Sequence, residues 1–232
     1  MDTSAGLAAA VAGRADRIEL CTALPVGGLT PSAGFMAEAA TCGVPVMAMI
    51  RPRAGDFVFS AAELAQMEVD ITAARAARLA GVVLGASLPD GRLDLAALAR
   101  LIAAAKGGDR GMDCTLHRAF DLVPDPAEAL EQAIEAGFSR ILTSGGARTA
   151  EAGADRIAAL VAQARGRISI MPGSGVSPAN AARFVAMGIT ELHGSCALPH
   201  AVAGPAVDLG FGPATERRTD AATIRALRDC LQ

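Results

Sequence analysis

The sequence predicts an α/β fold of the TIM, or (β/α)8, barrel type. Short apolar segments alternate along the chain with longer Ala-rich segments of helical periodicity, and several helices end in similar Gly-containing turns before the next strand. The 232 residues, 52% of them hydrophobic, match the about 250 residues typical of one barrel. We predict a single domain over residues 1–232, with an irregular loop at 198–219 before the last helix.

Seven segments have the length and apolar character of strands that are buried on both faces. They are residues 17–21, 45–50, 81–84, 113–116, 140–142, 168–171 and 190–193. Continuous apolar segments of this kind are typical of parallel sheets, because crossover helices cover both faces of such a sheet.

About eight helices accompany these strands, and the chain opens with one of them, residues 4–12. Ser60 before 61–79 and Asp125 before 126–136 are residue types that cap helix N-termini. The strand count is one short of a closed barrel. We therefore expect a barrel that is incomplete at its N-terminus, with the missing strand encoded upstream of Met1. The alternative is a strand that the pattern conceals.

The composition limits the partners that this chain can have. No apolar segment reaches the roughly 20 residues of a membrane span. A net charge of −3 and the absence of Trp and Tyr argue against nucleic-acid binding. The five scattered cysteines, without a signal peptide, fit reduced thiols in the cytoplasm. Unpaired sheet edges favour association, so we expect a homo-oligomer, a dimer.

Polar side chains occur where the first two strands end, which is the side on which barrel enzymes build their sites. Glu19 lies within an apolar strand, where a carboxylate needs a partner; the alternative is an exposed edge residue. Arg51 and Arg53 follow the second strand and suit the binding of a carboxylate or phosphate. The alternative for Arg53 is a surface pair with Asp56.

The fourth strand is followed by the densest polar cluster, His117, Arg118 and Asp121. An imidazole with a reference pKa of about 6.5 suits general acid–base work, and Asp121 could orient it or pair with Arg118. His193, at the end of the last predicted strand, is a second acid–base candidate. We therefore predict Glu19, His117, Asp121 and His193 as catalytic residues.

Two Gly/Ser-rich turns follow the later strands, and they resemble the phosphate-binding cup of many barrels. Backbone N–H groups approach an anion closely where no Cβ intervenes; the alternative is ordinary turn chemistry. The predicted substrate-binding residues are Arg51, Arg53, Arg118, Ser144, Gly145, Gly173 and Gly175.

Several sulfur-containing residues also fall near strand ends. Thiolate and thioether ligands suit Cu(I), and Met47 and Met49 share one face of a strand. Cys21 and Cys196 are the candidate metal ligands. No cysteine pair has the tight spacing of a metal motif, and buried cysteine often only fills a core.

Six segments together resemble the CutC family. They are 15–21 (ADRIELC), 27–32 (GGLTPS), 50–57 (IRPRAGDF), 117–121 (HRAFD), 142–145 (LTSG) and 171–175 (MPGSG), within a match that runs from about Leu7 to Ala197. The resemblance implies a cytoplasmic TIM barrel that functions in copper homeostasis. It also implies a pocket formed by Glu19, Arg51, His117, Arg118, Asp121, Ser144 and His193. Family members begin with a strand before the first helix, and this sequence lacks that strand.

Two functions follow from these observations. One is a CutC-like role in copper homeostasis, with Cu(I) bound or handled by the protein. The other is a TIM-barrel lyase, isomerase or hydrolase that acts on a small anionic or phosphorylated substrate by His/Glu acid–base chemistry. Copper is the one cofactor that the sequence suggests, and whether the chain is an enzyme stays open at this point.

Overall fold

The computed structural model describes residues 1–108 and 111–231, and a parallel sheet lies at its centre. Its six strands are β1 (Ile18–Leu20), β2 (Val46–Met49), β3 (Gly81–Leu84), β4 (Asp113–Leu116), β5 (Arg140–Thr143) and β6 (Ser169–Pro172). They are hydrogen-bonded in sequence order, and every pair is parallel. This is the wall of an open TIM-type barrel, so the predicted fold class is confirmed.

Helices connect and flank these strands. They are α1 (Ser4–Ala12), α2 (Ala33–Ala39), α3 (Ala61–Ala76), α4 (Leu95–Lys106), α5 (Pro126–Ala136), α6 (Ala154–Ala164), α7 (Pro178–Val185), α8 (Pro205–Asp208) and α9 (Ala221–Asp229). The predicted caps are confirmed. Ser60 and Glu63 form a capping box at α3, and the Asp125 side chain accepts from the first turn of α5. Gly137 ends α5 with a φ of +87°.

The two faces of the sheet pack in separate apolar clusters. Ile18, Leu20 and Ala48 belong to the large core between the sheet and the helices. Cys21, Met47, Met49 and Val83 form a second, small cluster. Because successive residues of a strand point to opposite faces, the small cluster lies on the inner face of the barrel wall. On each strand, the residues that alternate in step with the members of this small cluster therefore point into the barrel.

Ion pairs join several strands at their amino ends. Glu191 accepts from Arg17 and, at 3.0 Å, from Nε of Arg140. Nη1 of Arg140 also donates to Asp113 at 2.8 Å and to Thr115 Oγ1 at 3.1 Å. This amino-end network (Arg17, Asp113, Arg140 and Glu191) links β1, β4, β5 and the segment 190–194.

The prediction of a seventh barrel strand at 190–193 is wrong. The backbone of this segment meets the sheet through one bond, from His193 N–H to the Pro172 carbonyl at 3.0 Å. Ionic contacts of Glu191, rather than a hydrogen-bonded ladder, hold the segment against the sheet. The apolar pattern alone cannot distinguish these two kinds of attachment.

The prediction of an irregular loop at 198–219 is also wrong. Strands β7 (Ala197–Ala201) and β8 (Thr215–Thr219) form an antiparallel ribbon, and α8 lies between them. Pro199 concealed the first strand because proline is excluded from central strands. It is tolerated here since the ribbon has only two strands, both with an open edge.

Strands β1 and β6 are the outer strands of the six-stranded sheet. In the described part of the chain no strand precedes α1, but the backbone of Met1 pairs with β1. Its ammonium group donates to the Glu19 carbonyl at 2.6 Å, and its carbonyl accepts from Cys21 N–H at 2.8 Å. Dimer formation stays a prediction. None of the helices within residues 1–108 and 111–231 is long and apolar enough to cross a membrane.

We expect Arg140→Met to destabilise the fold by about 2–3 kcal/mol, below the roughly 3–5 kcal/mol of a fully buried pair. The variant leaves the partly buried carboxylates of Asp113 and Glu191 without this partner. Urea unfolding measures the loss. Arg167→Met is the matched control, because its partner Glu131 is solvent-exposed. Equal losses from both variants would contradict a structural role for the network.

Candidate functional site

The neighbouring strands β2, β3 and β4 bring polar side chains to the same height at their carboxyl ends. Backbone bonds continue past the strands, from Ile50 N–H to the Val83 carbonyl and from His117 N–H to the Leu84 carbonyl. Arg51 thus lies beside the β3 end, and His117 lies on its other side. Ser87 follows β3 two residues after Gly85. We call Arg51, Ser87 and His117 the donor cluster.

Arg51 is buried, with 5% of its surface exposed, and its hydrogen-bond partners are neutral. Nη1 donates to the carbonyls of Val26 at 2.9 Å and Gly28 at 3.2 Å, and Nη2 donates to Gly55 at 2.8 Å. No carboxylate in the described parts of the chain pairs with this guanidinium, and Nε lacks a partner there. Burial, then the nearby Arg53, lowers the pKa of Arg51. The positive charge of Arg51, which no described carboxylate balances, therefore suits the binding of an anion.

His117 is buried as a neutral hydrogen-bond donor. Nδ1 accepts from Ala119 N–H at 3.2 Å, which places the proton on Nε2. The ring packs against Phe57 with centroids 4.6 Å apart. It also lies over Gly85, where a methyl group would come within 2.5 Å of Cε1. Nε2 has no partner among the described residues.

The environment of His117 changes the chemistry that the sequence predicted for it. Burial, followed by the charge of Arg51, lowers the pKa of His117 to about 3. The imidazole is therefore neutral near pH 7 and cannot exchange a proton there as a group with a pKa near 6.5 would. Donation from Nε2–H is the chemistry that it offers instead.

Ser87 completes the donor cluster and was not predicted. It is 4% exposed, and its Oγ lacks a partner within residues 1–108 and 111–231. Its N–H donates to the carbonyl of Phe57 at 2.8 Å. The Phe57 ring lies 5.0 Å from Arg51 Cζ and also contacts His117. The only sequence signal for Ser87 is its place just after a strand.

Glu19 and His193 form a second group beside the donor cluster. Glu19 Oε2 lies 3.9 Å from His193 Nδ1, and Glu19 Oε1 accepts from Cys21 Sγ at 3.7 Å. A methyl group at Gly28 would lie 3.1 Å from that sulfur. The Gly28 carbonyl accepts from Arg51. Gly28 therefore connects the pair of Glu19 and His193 to the donor cluster.

Asp121 pairs with Arg118 rather than with His117. One carboxylate oxygen accepts from Arg118 Nε at 2.7 Å, and the other accepts from Thr143 Oγ1 at 2.5 Å and from Ser144 N–H at 3.0 Å. The Ser144 hydroxyl also accepts from Arg118 at 2.7 Å. Asp121 therefore fixes the loop after β5, and its carboxylate is already saturated with donors.

In the glycine turns that resembled a phosphate cup, Gly145 and Gly173 use their N–H groups internally. Gly145 N–H donates to Thr143 Oγ1 at 2.8 Å, and Gly173 N–H donates to the Thr143 carbonyl at 2.9 Å. Neither N–H is free for an anion in this structure. Gly173 lies beside His193, since a methyl group there would be 3.5 Å from its Cδ2, whereas Gly175 is exposed.

Arg53 lies apart from Arg51. It donates to Asp56 at 2.8 Å and to Glu63, and about a third of its side chain is exposed. The structure therefore agrees with the surface pairing that was the alternative for this residue.

The two candidate copper ligands lie in different apolar clusters. Cys21 packs with Met47 and Met49 inside the barrel wall, whereas Cys196 packs against the main core. Burial and then Glu19 raise the pKa of the Cys21 thiol. Within the described chain, no three His, Cys, Asp or Glu side chains lie close enough to hold a metal ion together.

These features define a TIM-type α/β protein that carries, at the carboxyl ends of its strands, further donors and a cation that no carboxylate of the described residues balances. The model of the CutC family matches residues 1–198. The chain belongs to the CutC family.

Relatives and solved structures agree with this assignment. The CutC family protein of Sinorhizobium medicae is 57% identical, over 100% of this chain and 94% of that protein, and that of Caulobacter vibrioides is 52% identical, over 97% and 91%. A Streptococcus agalactiae CutC structure, named for copper homeostasis, is 36% identical with a TM-score of 0.73, over 78% of this chain and 88% of that one. The aldolase QR15, 11% identical with a TM-score of 0.60 over 97% and 86%, shares the fold alone.

The low pKa of His117 predicts a specific loss of stability in acid. The unfolded chain takes up a proton at about pH 6.5, whereas the folded chain does so at about 3. The contribution of the neutral His117 to the free energy of unfolding is therefore fully present above about pH 6.5, and it is lost as the pH falls toward 3. Unfolding free energies measured across this window should fall less steeply for His117→Gln than for the natural chain. Parallel pH profiles would contradict the assignment.

Proposed function

We propose that this CutC-family protein is an enzyme that binds a small anion in the donor cluster and acts on it by acid–base chemistry. One observation carries the proposal. Arg51 Nε, Ser87 Oγ and His117 Nε2 are all buried without a hydrogen-bond partner among the described residues. Leaving a buried donor unsatisfied costs about 1–3 kcal/mol. A bound anion relieves this cost for all three donors at once.

Proton transfer falls to the neighbouring pair, Glu19 and His193. Their side chains are 15% and 30% exposed, so they can exchange protons with solvent and with a molecule that reaches past the donor cluster. Arg51, Ser87 and His117 would hold the substrate and stabilise negative charge as it develops. Five free cysteines fit a reducing compartment, and we place the protein in the cytoplasm.

Anion binding is the direct test. We expect acetate or pyruvate, both monoanions, to raise the melting temperature of the natural chain by mass action. Arg51→Met should lose this shift and Ser87→Ala should weaken it, whereas Arg53→Met, whose guanidinium lies at the surface, should keep it. A crystal soak should place the anion between Arg51 and His117. If Arg51→Met and Arg53→Met behave alike, the site is misassigned.

Copper handling is the second candidate function, and a separate observation favours it. Cys21 Sγ and Met49 Cε both approach Gly28, at 3.1 and 3.8 Å from a methyl position there, and Met47 belongs to the same cluster. One thiol and two thioethers are a ligand set that suits Cu(I). The name of the Streptococcus agalactiae relative points the same way.

A Cu(I) titration against a chromogenic chelator tests this second function. We expect one equivalent to bind, with an affinity that rises with pH because the protonated Cys21 thiol must release its proton. Cys21→Ser should abolish stoichiometric binding, whereas Cys196→Ser, in the other cluster, should retain it. Binding that survives Cys21→Ser would eliminate this site.

A further inference from the structure

We infer that the anion is a monocarboxylate with an oxygen on the adjacent carbon, a 2-oxo or 2-hydroxy acid. Its carboxylate would bind the free edge of the Arg51 guanidinium, and its second oxygen would accept from His117 Nε2 and Ser87 Oγ. This inference rests on the proposed function and specifies the substrate class of the same site.

The carbonyl groups around Arg51 leave one particular edge of the guanidinium unoccupied. Both N–H groups of Nη1 have acceptors, at Val26 and Gly28, and one N–H of Nη2 has Gly55. The Nε–H and the second N–H of Nη2 remain. Nε and Nη2 share one edge of the guanidinium, and this is the edge that pairs with the two oxygens of one carboxylate.

The charges that face the site favour a monoanion over a phosphate. Arg51 supplies one positive charge, because the buried His117 is neutral and the charge of Arg53 is paired with Asp56 and Glu63. Glu19, next to Cys21 and His193, adds a negative charge nearby. A phosphate monoester carries about −1.5 to −2 at pH 7, so it would leave surplus negative charge in a buried site. A monocarboxylate balances Arg51.

The other two donors suit a neutral oxygen. His117 and Ser87 donate without carrying charge, and the Phe57 ring borders both Arg51 and His117. Arg51 also lies close enough to His117 for its charge to lower the pKa of the imidazole. We infer that one small molecule contacts both. A neutral imidazole that donates to a carbonyl oxygen stabilises negative charge developing there.

Isothermal titration with four probes of similar size tests the inference. Propanoate has the carboxylate alone, lactate and pyruvate add the second oxygen, and methyl phosphate replaces the carboxylate. We expect pyruvate or lactate to bind about tenfold tighter than propanoate, the value of an added hydrogen bond or two in a buried site. Ser87→Ala and His117→Leu should reduce this difference and leave propanoate binding intact. Arg51→Met should lose all four probes, and Arg53→Met should lose none.

The outcomes distinguish a failure of the substrate class from a failure of the proposed function. Methyl phosphate that binds more tightly than pyruvate, and depends on Arg51, would overturn the inference and leave the proposed function in place. No Arg51-dependent binding of any probe would overturn both. In a His193→Gln variant, which removes the other imidazole beside the site, pyruvate affinity should be constant from pH 5.5 to 8, since neither the pyruvate carboxylate nor His117 changes charge over that interval. An affinity that falls as the pH rises through about 6.5, the ordinary histidine value, would show a charged imidazole and overturn the inference.

Discussion

The strict alternation of side chains along six parallel strands controls the chemistry of this protein. Each strand places one set of residues against the helices and the other set inside the barrel wall. The helix-facing set is almost wholly apolar, with residues such as Leu20, Ala48 and Leu84. The inward set is where the chain departs from apolar packing, and its polar members must be satisfied by one another or by something that binds.

The two ends of the barrel wall meet this demand differently. At the amino ends, Arg17 and Arg140 face Asp113 and Glu191, so cations and anions balance within the protein. At the carboxyl ends, carbonyl groups surround Arg51, and Ser87 and His117 add donors that have no acceptor among the described residues. The first arrangement stabilises the fold. The second leaves a local excess of positive charge and unpaired donors, which is the electrostatic signature expected of a binding site.

Much of this architecture could be read from the sequence, because local rules determine it. Strand positions followed from buried apolar segments, and Ser60 and Asp125 marked helix starts that the structure confirms. The segment at 190–193 was misassigned because ion pairs of Glu191, which no local pattern encodes, replace a strand ladder. The ribbon was missed because Pro199 argues against a strand by a local rule. That rule holds for central strands and does not apply in a two-stranded ribbon.

The site was predictable in its residues but less so in their partners. Strand ends predicted that Arg51, His117 and Glu19 would lie at the carboxyl end of the sheet, because parallel strands bring their carboxyl ends together, and the structure places them there. Spacing along the chain could not show that Asp121 would bind the loop after β5 instead of His117. It also could not show that burial would keep His117 neutral. Ser87 has only its place just after a strand as a signal, since its role in the cluster depends on the position of Phe57, about thirty residues earlier.

Segment 190–194 is attached so that the opening at the carboxyl ends of the strands can change shape without a change in the stability of the sheet. His193 is carried by a segment that one backbone bond and the contacts of Glu191 hold against the sheet. The six strands keep their own hydrogen bonds whatever this segment does. Evolution could therefore reshape this side of the opening by exchanging a few residues, and related chains could diverge in the molecules they accept while their strand architecture stayed constant.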